Sequence, residues 1–115
     1  RLDGVTGVQT CALPILHAGY DGGEFITRPF TFTGKELEIN FATSAAGSLW
    51  AELQQPDGTP IPGFTKDECD EIIGDQVDRI VTWNGAADVS ALSGAPVRLR
   101  FVMKDADLFA IRFRP

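Results

Sequence analysis

Histidine is nearly absent from this sequence, since His17 is the single one among 115 residues. Serine and cysteine nucleophiles of hydrolases need a neighbouring base, and that base is most often histidine. His17 lies in the turn-rich beginning of the chain, beside a segment that does not resemble the rest. The sequence therefore predicts no nucleophilic triad and offers no catalytic residue.

Cysteine and long hydrophobic runs are also scarce. Cys11 and Cys69 could pair with each other, but two cysteines in a chain of this size do not make a disulfide scaffold. No apolar run approaches the roughly 18 residues of a membrane-spanning helix, and "CALPIL" is interrupted by Pro14. We therefore expect a single globular domain with no membrane partner.

Basic residues are outnumbered, with 10 lysines and arginines against 16 acidic residues and a net charge of −6. Nucleic acids and anionic membranes attract clustered basic side chains and release counterions when they bind. The balance of charge argues against both partners and leaves neutral ligands such as sugars open. No motif in the sequence predicts a cofactor.

The segment "VTGVQTCALPI", residues 5–15, stands apart from the rest of the chain. Its β-branched residues do not alternate with polar ones, and the beginning of the chain lacks the basic start and cleavage site of a secretory signal. Its codons can be read as a translated sequencing adapter. We therefore interpret residues 1–15 as non-native and residues 16–115 as the natural domain, which we expect to continue upstream. Cys69 then has no natural disulfide partner.

After this opening the sequence alternates in short segments. In "KELEINFAT", Leu37, Ile39 and Phe41 point to one face and polar residues to the other. The other predicted strands are "EFITR", "FTFT", "GSLWAELQQ", "RIVTW", "PVRLRFVMKD" and "ADLFAIRF", the last two joined by a hairpin-like "KDADL". The last segment places Phe109, Ile111 and Phe113 together on the core face, and "DVSALSG" predicts a single turn. The pattern predicts an all-β, jelly-roll-like antiparallel sandwich of about seven or eight strands.

An acidic connection, "TKDECDEIIGDQVD" at residues 65–78, has too few apolar residues to predict a strand. Its carboxylates could offer calcium hard oxygen ligands, but it lacks the spacing and glycine of an EF-hand loop. A solvated charged loop is the simpler interpretation, here and for the acidic "DAD" turn at residues 105–107. The same negative charges disfavour a thiolate at Cys69, so we expect neither a metal site nor a reactive cysteine.

Trp50 is the candidate carbohydrate-binding residue, because aromatic rings on the outside of a sandwich can stack on sugar rings. It is out of phase with the apolar residues of its segment and should share the face of Glu52 and Gln54. The alternative is that Trp50 packs beneath a loop or against a domain outside this sequence. Trp83 is expected in the core or at its rim, and Tyr20 could have either role.

From "GYDGGEF" to "LFAIRF" the chain resembles the C-terminal β-sandwich module of bacterial glycoside-hydrolase proteins of the family-32, fructosidase-like type. The resemblance is carried by "GGEFITRPFTFTGKELEINFATSAAGSLWAELQ", "DGTPIPGF", "DECDEIIGD", "VTWNG" and "DVSALSGAPVRLRFVMKDADLFAIRF". It implies a non-catalytic module behind a catalytic β-propeller whose carboxylates lie upstream, and export from a bacterium. The catalytic motifs of that family do not occur in this sequence, so no catalytic residue can be transferred.

The resemblance predicts an accessory module that braces the catalytic domain of a carbohydrate-active enzyme, with contact to its substrate as an additional role. One alternative is an independent carbohydrate-binding module, which requires an exposed Trp50 with polar groups nearby. Another is a secreted structural or adhesion domain without a glycan role. A sizeable apolar patch on one sheet, without a cleft, would favour bracing.

Overall fold

The protein is a β-sheet structure. The computed structural model describes residues 10–19 and 21–115, and their side chains from Gly19 onward. The strands are β1 (Thr10–Ala18), β2 (Gly23–Ile26), β3 (Glu36–Gln54), β4 (Asp75–Ile80) and β5 (Arg98–Arg114). Within these ranges the helical structure is limited to a 3-10 turn at Ser90–Leu92, where "DVSALSG" predicts a turn, and no helix could cross a membrane. The all-β class is confirmed.

One antiparallel sheet contains all five strands, in the order β1–β5–β3–β4, with β2 also paired to β5. β3 and β5 pair along nearly their whole lengths, from Glu36 opposite Arg114 to Gln54 opposite Arg98. On the other side of β5, β1 covers one half and β2 covers the other. The long β3–β5 pair therefore fixes which residues become neighbours on each face.

Two long strands replace four predicted short ones. β3 contains "KELEINFAT" and "GSLWAELQQ" except for their outermost residues, and β5 contains most of both segments predicted on either side of "KDADL". The pairing skips from Thr43 to Ser48 in β3, opposite Asp105 of β5, whose φ is +47°. The predicted hairpin at "KDADL" is wrong, because this irregularity absorbs the break without reversing the chain. The described residues accordingly form five strands rather than seven or eight.

A second irregularity moves Phe109 out of the core. Asn40 of β3 pairs with Ala110, and the residue after Asn40 pairs with Leu108. Phe109 is therefore the extra residue of a bulge, and its side chain is only half-buried. Its predicted core position is wrong, because one extra residue in β5 reverses which side chains face the core on the two sides of the bulge. Phe113, beyond the bulge, is buried as predicted.

The acidic segment also contains an unpredicted strand. β4 pairs with residues 38–42 of β3, and four of its six residues are exposed. An edge strand exposed on both faces pairs through its backbone and needs no apolar alternation. The loop predicted for residues 65–78 is therefore wrong from Asp75 onward. The predicted strand "RIVTW" contributes only its first two residues to β4.

The core lies between the inner face of the sheet and segments that cross it. On the strands it comprises Leu37, Ile39, Phe41, Leu49, Ala51, Leu53, Leu99, Phe101, Met103, Ala106, Leu108, Ile111 and Phe113. Outside the strands it includes Phe30, Phe32, Cys69, Ile72, Val81, Trp83, Val89 and Val97. The rings of Phe32 and Phe113 stack with centroids 4.0 Å apart, and Phe30 packs on Phe113 at 6.0 Å. Loop segments thus supply the second layer of the core.

β1 includes part of the segment that we interpret as adapter-derived. It pairs at a sheet edge, where backbone N–H and C=O groups accept an extended chain of almost any sequence. The boundary at residue 16 therefore stays a prediction. Tyr20 lies outside the described residues, as do the side chains of Cys11 and His17.

Candidate functional site

The outer face of the sheet, opposite the core, carries Trp50 at the position that the alternation predicts. Trp50 of β3 pairs with Val102 of β5, and Glu52 pairs with Arg100 in the next outward row. β2 widens the face, since Glu24 pairs with Val102. Aromatic, aliphatic and charged side chains thus lie side by side on three strands.

Arg100 connects the three strands through its guanidinium group. Its Nε and Nη2 donate to Oε2 of Glu24 at 3.0 and 2.8 Å, and its Nη1 donates to Oε2 of Glu52 at 3.2 Å. The Arg100 side chain is 28% exposed, whereas that of Glu52 is only 4% exposed. The hydrogen bonds to Glu24 and then Glu52 raise the pKa of Arg100, so the guanidinium stays charged.

Glu52 is a buried carboxylate that is fully provided with donors. Burial raises its pKa, but hydrogen bonds from the Lys66 backbone N–H, Gln54 and Arg100 outweigh burial and lower the pKa below its usual value. The distances to Lys66 N and Gln54 Nε2 are 2.9 and 2.7 Å. Glu52 therefore remains ionised at neutral pH and ties the loop at Lys66 onto β3. Glu52 lies on the predicted outward face, but it is buried because this loop covers it.

An open cleft of about 580 Å³ lies where that loop meets the sheet. It is lined by Glu52, Pro60, Thr65, Lys66, Asp67, Arg100 and Val102. The Lys66 ammonium lies over the Trp50 ring, with Nζ 4.5 Å from the ring centroid, which is a cation–π contact. Trp50 is therefore half-buried beside the cleft, with one ring face covered by Lys66. We call the cleft and the Trp50 ring together the outer-face site.

Where β3 extends beyond β4, its backbone forms hydrogen bonds with side chains as well as with the backbone of a loop. The N–H of Ala51 donates to Sγ of Cys69 at 3.3 Å, and its carbonyl accepts from Nε1 of Trp83 at 2.9 Å. On either side, Leu49 and Leu53 bond to the backbone of the covering loop. Cys69 and Trp83 thus satisfy two buried polar groups that a neighbouring strand would otherwise satisfy.

Burial is the main reason that Cys69 holds its proton. It raises the pKa of the thiol to about 11, the hydrogen bond from Ala51 opposes this, and the charge of Asp70 adds to it. The sequence predicts an unreactive thiol from the surrounding acidic residues. In the structure, burial raises the pKa of Cys69 more than the charge of Asp70 does.

We expect this raised pKa to make the stability fall at alkaline pH. The folded chain holds the thiol proton more tightly than the unfolded chain, so the contribution is complete below pH 9.0 and is lost as the pH rises toward about 11. Two pKa units correspond to about 3 kcal/mol. Urea unfolding across this range, with Cys11→Ser present throughout, should show the loss, and adding Cys69→Ala should remove that component. The same alkaline slope with and without Cys69 would contradict the assignment.

Several carboxylates of the acidic segment hold loops together. Oδ2 of Asp70 accepts hydrogen bonds from Thr82 Oγ1 at 2.6 Å and from Gly85 N at 2.8 Å. Oε1 of Glu68 accepts from Thr65 Oγ1 at 2.8 Å. These bonds lower the pKa of both carboxyl groups, which stay ionised and anchor the loops. In the part of the chain that the structure describes, no three His, Cys, Asp or Glu side chains are grouped as a metal site would require.

Large exposed apolar side chains are scattered. Ile26, Ile73 and Val77 are 43%, 46% and 70% exposed. Ile26 lies on β2 and Val77 on β4, at opposite edges of the sheet. These residues therefore do not form one apolar patch, and the mixed outer-face site is the better candidate for a contact surface.

Comparison with known proteins gives no relative. No family model, no curated protein and no solved structure matches the chain. The resemblance to a glycoside-hydrolase module therefore stays a prediction from the sequence.

Proposed function

We propose that this chain is a non-catalytic accessory module of a carbohydrate-active enzyme, which braces an upstream catalytic domain and contacts its substrate through the outer-face site. The observation that carries the proposal is the position of Trp50 beside a cleft with donors and acceptors. The resemblance supplies the class of enzyme. The net charge of −6 favours a neutral ligand over an anionic polymer.

The carboxylates support a structural role over an acid–base role. Shifted carboxyl pKa values in the described chain are lowered, at Glu52, Asp57, Glu68, Asp70 and Asp88. A glycosidase general acid needs the opposite, a carboxyl group whose pKa is raised so that it keeps a proton. Carboxylates that stay ionised and accept hydrogen bonds serve to anchor loops.

The chemistry of the outer-face site suits a sugar. A sugar ring offers an apolar face and hydroxyl groups that both donate and accept. Val102 and the Trp50 ring offer apolar surface, the Lys66 ammonium donates, and the exposed Asp67 carboxylate accepts. We propose that a neutral glycan lies along the cleft with its apolar side toward Val102 and its hydroxyl groups toward Lys66 and Asp67.

We also propose that the fold is a two-layered, jelly-roll-like sandwich. The irregularities between Thr43 and Ser48 and at Asp105 occur at the same level of the two long strands. Bulges and bends of this kind let strands turn the corner between the layers of a sandwich. The loop segments of the core, including Phe30 and Phe32, would then belong to the opposite layer.

The same site fits an independent carbohydrate-binding module, in which Trp50 and the cleft hold polysaccharide without a catalytic partner. Sequencing the source DNA upstream of Leu16 separates the two proposals. A continuous reading frame that encodes a glycosidase propeller is expected for the accessory module. A frame without any glycosidase domain would contradict it.

We predict that Trp50→Ala weakens glycan binding by about tenfold, because aromatic side chains that contact a ligand are among the residues whose truncation weakens binding most. Affinity electrophoresis in gels containing a soluble polysaccharide, a fructan among them, measures the retention of the folded chain. Val77→Ala is the control, since Val77 is exposed on the far edge of the sheet. Equal retention of the Trp50 variant and the unchanged chain would contradict the site. Free migration of the unchanged chain in every gel would contradict substrate contact.

A further inference from the structure

A tight turn at Asn84 and Gly85 reverses the chain between Trp83 and Ala86. Trp83 and Ala86 exchange two backbone hydrogen bonds, at 2.8 and 2.9 Å. The two turn residues have φ values of +50° and +80°, the type I′ geometry that Asn-Gly favours. Both turn residues are exposed to solvent.

An Asn-Gly pair in such a position is open to deamidation. The backbone nitrogen of Gly85 loses its proton and attacks the side-chain carbonyl carbon of Asn84, ammonia leaves, and a cyclic imide forms. Water then opens the imide to aspartate or to isoaspartate, whose backbone runs through the former side chain. Asn40, the other asparagine, is followed by Phe41 inside a paired strand, where this attack is hindered.

Asp70 holds the nitrogen that would attack. Its Oδ2 accepts the N–H of Gly85 at 2.8 Å and is itself held by the hydroxyl of Thr82 at 2.6 Å. Attack requires the hydrogen bond between the Gly85 N–H and Asp70 to break and the nitrogen to turn toward the Asn84 side chain. Negative charge must also develop on that nitrogen. A carboxylate in contact opposes each of these steps.

We propose that Asn84 is the deamidation site of this protein and that Asp70 controls its rate by holding the Gly85 N–H. Deamidation at Asn84 would also disturb the core, through Trp83. Isoaspartate inserts an extra methylene into a two-residue turn and breaks the pairing of Trp83 with Ala86. Trp83 is buried and donates to the carbonyl of Ala51, so the modified chain should be less stable.

Peptide mapping by mass spectrometry of aged protein tests this proposal, with Asn40 as the internal reference. Asp70→Ala should deamidate at Asn84 about tenfold faster than the unchanged chain, the factor by which losing a hydrogen bond to a carboxylate shifts a local opening equilibrium. Asp70→Asn keeps an acceptor oxygen and should fall between the two. The matched control is Asp88→Ala, which also removes a carboxylate that accepts a backbone N–H, in this case that of Ser90 at 2.8 Å.

Faster deamidation in the Asp70 variants than in the Asp88 variant supports control by Asp70. Equal rates in the unchanged chain and in Asp70→Ala would overturn it, as would equal acceleration by Asp88→Ala, which would indicate general loosening. Where Asp70→Ala does not fold, Thr82→Val provides the same comparison. It leaves the carboxylate in place but removes the hydroxyl that holds it.

Discussion

Replacing Phe113 by alanine is expected to remove about 4 kcal/mol from the free energy of unfolding. Phe113 is 1% exposed. The centroid of its ring lies 4.0 Å from that of Phe32, on which it stacks, and 6.0 Å from that of Phe30. Its truncation leaves a cavity between the end of β5 and the segment that crosses it. Since domains of this size unfold with about 5–15 kcal/mol, the loss is a large part of the total. Denaturant unfolding followed by circular dichroism measures the change.

Phe109→Ala is the matched control for this prediction. It removes the same side chain from the same strand, but from the half-buried bulge position. We expect a loss of about 1 kcal/mol, typical of a point substitution outside the core. Equal losses of stability in both variants would contradict the bulge at Phe109. They would indicate that Phe109 is buried, as the simple alternation of "ADLFAIRF" predicts.

Replacing Gly47 by alanine is the second substitution with a large expected effect. A Cβ at Gly47 would lie 2.3 Å from the carbonyl oxygen of Asp105 and 2.7 Å from that of Lys104. Both obstacles are backbone, so β3 and β5 must separate where the irregularity brings them together. Overpacking of this kind costs about 1–3 kcal/mol, and we expect the upper end because no flexible side chain can yield. The same unfolding measurement applies.

Gly19→Ala separates steric crowding from a general effect of adding a methyl group. Among the residues that the structure describes, a Cβ at Gly19 would meet no atom within 4 Å. Its stability should therefore change by no more than about 0.5 kcal/mol. Unchanged stability of Gly47→Ala would mean that the strands do not approach each other at this point as described.

The sequence predicts those parts of the fold that depend on local alternation. Leu37, Ile39 and Phe41 are buried, and the polar residues between them face outward. The single turn predicted in "DVSALSG" lies at Ser90–Leu92, and the carboxylate of Asp88 accepts the N–H of Ser90. These features need no knowledge of which strand lies beside them.

The register between distant strands cannot be read from local alternation. The bulge at Phe109 exists only relative to β3, where Asn40 pairs with Ala110. β4 is held by backbone pairing at the edge, so its polar composition gives no signal. Merging short segments into long strands likewise depends on a partner more than forty positions away along the chain.

The sequence predicts only part of the outer-face site, because the rest depends on the register between distant strands. The alternation places Trp50 outward, but only the register brings Arg100 opposite Glu52. Opposite charges at outward positions of two strands are a signal that such a pair can form, although they do not say which residues meet. Lys66 reaches Trp50 because its loop folds over the sheet, a long-range event that composition does not encode.

The central structural claim is that β3 and β5 form one pair along their whole lengths, because the outer-face site, the bulge and the crowding at Gly47 all depend on it. Nuclear Overhauser contacts between backbone protons of the two strands measure this register directly. We predict one series that includes Glu38 with Arg112 and Glu52 with Arg100, interrupted only at the two irregularities. Spectra in which the two halves of β3 contact different strands would contradict the claim.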